Sequence, residues 1–84
     1  MSDRTMTQTM CNALDGDRAA YTHILLHTYY TAQAYAIASD IADPKSFAND
    51  ALTTMHRARN CGRSVRHFFQ WQHDIIGCVH DAYK

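Results

Sequence analysis

Six histidines and three cysteines in 84 residues are the first chemistry this sequence offers. His23 and His27 stand four apart, which sets them on one face of a helix and close enough to share a metal ion. Zinc would then need two further ligands for a structural site, or one ligand and a water for a catalytic one. His56, Cys61, His67 and His73 are the candidates, and none stands at a recognised ligand spacing. Cys78 and His80 are two apart, which sends them to different helix faces. An HExxH pattern is absent. All eight acids are Asp, so the Glu that serves that motif as general base is missing altogether. The pattern predicts no bound metal and no cofactor. His23, His27 and Thr31 read instead as a polar stripe that hydrogen-bonds across a helix–helix interface.

A second constellation is basic. Arg57, Arg59, Arg63 and Arg66 gather four of the six arginines into ten residues, flanked by His56 and His67. Arginine forks suit phosphates, carboxylates and protein hot spots alike. Ser64 would open a helix there, whose N-terminal N–H groups favour anions. The competing reading is a solvated corner whose arginines pair with Asp50 or Asp74. Phe68, Phe69 and Trp71 follow within one turn, and Trp and Arg are the residue types that dominate interface hot spots. Phe68 and Phe69 also suit a core, whereas Trp71 and Cys78 lie at the margin of the apolar arc. Catalysis finds little footing. Ser2, Ser39, Ser46 and Ser64 lack a nucleophile elbow, and a pairing of Cys61 with His67 carries no local signature.

Four helices are expected to position these groups. The first runs from Asp3 to Leu14, capped by Ser2 and stopped by Gly16, with Met6, Met10, Ala13 and Leu14 on one stripe. Its four early serines and threonines predict a weak element that docks loosely. The second runs from about Arg18 to Ala42. Tyr21, Ile24, Leu25, Leu26, Tyr29, Tyr30, Tyr35, Ile37 and Ile41 spread around nearly its whole circumference, which predicts a central, covered helix. Asp43 and Pro44 form a cap and first position for the third, reaching about Asn60, with Phe47, Ala48, Ala51, Leu52, Met55 and Ala58 inward. Gly62 and Ser64 predict a stop and restart. The last helix, Val65 to Tyr83, fills half its wheel with apolar residues, and Gln72 is the lone polar intruder there. Half a wheel needs two helix neighbours or another chain to cover it.

The fold class expected is therefore all-α: one domain over 1–84, a compact bundle of three long antiparallel helices with a short N-terminal fourth. Formal charge is zero, eight basic against eight acidic residues, which disfavours a dedicated nucleic-acid binder. The first ten residues hold no apolar run, no stretch is long enough to span a membrane, and three cysteines form no CxxC. A cytoplasmic protein with free thiols is expected. Size and the lack of any motif point to an interaction protein and not an enzyme: one that covers a surface of a larger protein partner, as inhibitors carried by phages and mobile elements do, anti-CRISPR proteins among them. The expected contact surface is Arg57, Arg59, Arg63, Arg66, Trp71 and Phe68, facing that partner or a second copy in a homodimer. The alternatives are a regulator that binds nucleic acid or nucleotide through the arginine cluster, and a metal-dependent sensor built on His23 and His27.

Overall fold

The structure, a computed structural model, describes residues 3–59 and 67–83. Four helices account for nearly all of them: α1 (Asp3–Leu14), α2 (Arg18–Ala38), α3 (Pro44–Arg57) and α4 (Phe68–Ala82). Among the described residues there is no strand. Only α2, at 21 residues, is long; α1, α3 and α4 hold 12, 14 and 15. Whether a helix passes through Gly62, and where Ser64 and Val65 lie, falls outside the described residues.

The helix ends follow from local chemistry. Asp17 accepts a hydrogen bond from the Ala20 amide at 3.1 Å and so caps α2, and Asp43 does the same for Ser46 at the start of α3, where Pro44 takes the first turn. α1 stops in a paired motif: the Gly16 amide bonds the Ala13 carbonyl and the Asp17 amide bonds that of Asn12, with Gly16 at φ +106°. α2 stops the same way four residues earlier than the sequence predicts. There the Asp40 amide reaches Ile37 and the Ile41 amide reaches Ala36, and Asp40 itself takes the left-handed φ of 58°. At the start of α4 the His67 side chain makes no capping bond, and the Phe68 amide donates to the Thr7 hydroxyl of α1 at 3.2 Å. At the other end of the connection, the Arg59 guanidinium donates to the His56 carbonyl at 2.7 Å and satisfies the C-terminus of α3.

The helices pack in a square. α2 lies against α1 and α3, α4 lies against the same two, and α2 and α4 face each other across the diagonal. The core divides into two clusters. One joins Ala32, Ala36, Phe47, Ala48, Ala51, Ile76 and Val79, its alanines letting α2 and α3 approach closely. The other joins Met6, Met10, Ile24, Met55, Phe68 and Ile75. Two expectations change here. α1 does not dock loosely, because Met6 and Met10 are fully buried and fill the second cluster. α2 is not covered on all sides, because a helix in a square has two neighbours and one diagonal partner, and its outer side has none.

Candidate docking surface

Along α2, two ridges four residues apart divide inside from outside. Ile24, Thr28, Ala32 and Ala36 form the inner ridge and are all buried. Thr22, Leu26, Tyr30, Ala34 and Ala38 form the outer ridge and are all exposed, with Ile37 beside them. Leu26 is 52% exposed, Tyr30 63% and Ile37 62%. From residue 19 to residue 39 the chain carries no Asp, Glu, Lys or Arg, so nothing charged interrupts this face. A hollow of about 370 Å³ opens on it, lined by Thr22, Leu25, Leu26, Tyr29, Tyr30 and Leu52 of α3. The Tyr30 ring is braced edge-on against Tyr29, centroids 5.5 Å apart at 88°. Such a row of apolar side chains on a helix, rimmed by polar residues, is the make-up of a protein-binding surface.

Facing inward, the polar groups are consumed by the fold. Gln72 of α4 is buried and donates to the Thr28 hydroxyl at 2.9 Å, with His27 Nδ1 at 3.0 Å from the same amide nitrogen. Thr28 in turn donates to the Met55 sulfur at 3.3 Å. Tyr35 of α2 meets His80 of α4 at 2.7 Å across the diagonal, and Tyr21 meets His56 of α3. The sequence reading placed a polar stripe on this side of α2 through His23, His27 and Thr31. His27 does bond across, to Gln72, as that stripe predicts, and the fully buried member is Thr28, which the stripe did not include. Burial, with His23 nearby, holds the His27 imidazole below its ordinary value. Among the described residues no group of three or more histidines, cysteines or acids converges as a metal site.

The arginine corner is less coherent than its spacing suggests. Arg63 and Arg66 lie outside the described residues. Arg59 donates from Nη1 to the His56 carbonyl. Arg57 is exposed and lines a shallow groove of about 360 Å³ between α3 and α4, with Asp50, Thr53, Cys78 and Tyr83. Tyr83 donates to Asp50 across that groove, and this bond raises the phenol above its ordinary value. Phe68, placed by the sequence in the contact surface, is fully buried beside Phe69 and Trp71; it cannot touch a partner without opening the core. Trp71 is half-buried, packed on the methionine cluster that α1 completes. Cys78 is exposed and Cys11 half-buried, both as free thiols.

No helix of the described residues is long and apolar enough to cross a membrane. Compared with protein-family models, curated proteins and solved structures, the chain matches none, and its own geometry carries the functional reading.

Proposed function

We propose that this protein works by contact and not by chemistry: it binds a larger protein and covers part of its surface, and the outer face of α2 is what it binds with. The observation that carries this reading is the exposure of Leu26, Tyr30 and Ile37 along one uncharged helix face. Burying them restores the apolar contacts that the square of helices leaves unmade, at about 25 cal/mol for each Å² removed from water. Three of the six histidines, His27, His56 and His80, are tied into bonds between helices. An occluding inhibitor of the kind phages and mobile elements carry, acting in a reducing cytoplasm where Cys11 and Cys78 stay thiols, suits this design.

The test is affinity capture from a cell lysate with the wild type beside Leu26→Glu and Tyr30→Ala, both on exposed positions. A partner retained by the wild type should be lost from each variant, with about 2 kcal/mol or more of binding lost at an anchor residue. Equal capture by all three forms, with circular dichroism confirming that each is folded, would place the binding face elsewhere.

A further inference from the structure

We infer that His27, Gln72, Thr28 and Met55 form an acid-sensitive relay through the core: a proton taken up at His27 of α2 turns over the Gln72 amide of α4 and withdraws the Thr28 hydroxyl from Met55 of α3. In the neutral protein every bond of this chain has a fixed direction. The Gln72 amide nitrogen stands 2.9 Å from the Thr28 hydroxyl and 3.0 Å from His27 Nδ1. An amide nitrogen only donates, so Nδ1 accepts and the ring proton sits on Nε2. Thr28 has one hydroxyl hydrogen, and it points to the Met55 sulfur at 3.3 Å. Gln72, Thr28 and Met55 are all buried, so a bond lost here is exchanged for another within the protein.

Protonation removes the acceptor. His27 Nδ1 then carries a hydrogen and faces the Gln72 amide hydrogens, donor against donor. Rotating the amide by half a turn puts Oε1 in the nitrogen's place, where it accepts from the imidazolium in a charge-assisted bond. The same rotation takes the donor away from the Thr28 oxygen and sets Oε1 opposite it. The single Thr28 hydrogen turns to Oε1, and the bond to Met55 is given up. Sulfur is a weak acceptor, so this last bond costs little to lose, and the reversal needs no unfolding.

The surroundings of His27 make it the trigger. Burial disfavours its charged form, and His23 one turn earlier on α2 and the amino-terminal charge act in the same direction. From α4 it faces Gln72 and the rings of Phe68 and Phe69, with centroids at 6.3 and 5.5 Å. α3 meets the relay through Met55. None of these groups carries a negative charge, so the imidazolium turns to the Gln72 oxygen. The other two histidines that bridge helices differ in their partners. His56 and His80 meet Tyr21 and Tyr35, and a phenol both donates and accepts. Those bonds reverse in place and pass nothing on.

The test is a pH titration of the full chain by NMR, reading the His27 ring nitrogens, the Gln72 side-chain amide and the Met55 methyl. Above the ordinary histidine value of 6.5 the ring should be the Nε2–H tautomer. On acidification all three signals should shift together, with one midpoint below 6.5. In His27→Gln the shifts at Gln72 and Met55 should vanish. Thr28→Val should stop the Met55 shift and keep that of Gln72, whereas Thr28→Ser, which retains the hydroxyl, should keep both. A neutral ring found as the Nδ1–H tautomer overturns the inference. So does a Met55 methyl that stays still while His27 titrates. Both are read on the wild type, whether or not Thr28→Val folds. A Met55 shift that persists in folded Thr28→Val equally defeats the relay, because the signal then reaches Met55 without the hydroxyl.

Discussion

Gln72 is the one polar side chain in the apolar arc of α4, and its buried amide shows why a core tolerates it. It reaches Thr28 and His27 on the opposite helix, so its donor is used and two acceptors on α2 are satisfied. Gln72→Leu removes that donor and should destabilise the fold by about 1–3 kcal/mol in urea unfolding; a loss under about half a kcal/mol would show the bond to be incidental. His27 makes the same network sensitive to pH. Its pKa is depressed in the fold by burial and by His23, so the folded chain prefers the neutral ring. Above the ordinary value of 6.5 both folded and unfolded forms are neutral, and the stabilisation is complete. As pH falls through that value the unfolded chain takes up a proton first, and stability declines until the folded pKa is passed. The urea midpoint should therefore fall between about pH 7 and pH 5, and it should fall less in His27→Gln. Identical pH profiles for the two proteins would remove His27 as the cause.

The two helix stops illustrate at the scale of elements how one geometry arises from different residues. α1 and α2 end in the same pair of backbone bonds, with Gly16 and Asp40 in the equivalent left-handed position. Glycine reaches that conformation freely, whereas a residue with a Cβ is strained there. Gly16→Ala should cost about 1 kcal/mol, although its Cβ would meet open space. Asp40→Gly should gain about half a kcal/mol, the relief of strain exceeding the added freedom of the unfolded chain. Thermal unfolding of both variants checks the signs, and a loss for Asp40→Gly would mean its side chain holds the turn. Gly16 was readable as a stop in the sequence. Asp40 was not, because Asp also serves in caps and on surfaces, and only the bonds from Asp40 and Ile41 reveal its role.

For the whole molecule, the arrangement of four helices in a square decides which apolar residues are core. Ile24 and Leu26 are neighbours on one helix with similar side chains, yet the first is fully buried and the second half open. Ile24→Ala should cost about 2–5 kcal/mol. Leu26→Ala should cost under about half a kcal/mol, as surface substitutions do. Equal losses from the two, measured in one urea series, would show that α2 is covered on both sides after all. The uncharged stretch from 19 to 39 carries both the buried ridge and the open one.

Periodicity and caps in the sequence already determined much of this protein. The all-α class, the span of α1, the Asp43–Pro44 start of α3, and the inward set Phe47, Ala48, Ala51 and Met55 follow from local rules of helix geometry and hydrogen bonding. Tertiary structure decided the rest. The wheel of α2 shows how many apolar side chains it bears but not how many neighbours exist to cover them. The composition of α1 measures its propensity as an isolated helix, whereas burial of Met6 and Met10 supplies what propensity lacks. Phe68 and Leu26 look alike as apolar letters. Phe68 is fully buried and Leu26 is open because each helix is bordered by only two others, which leave its outer side uncovered, and that number belongs to the packing and not to the sequence of any one helix.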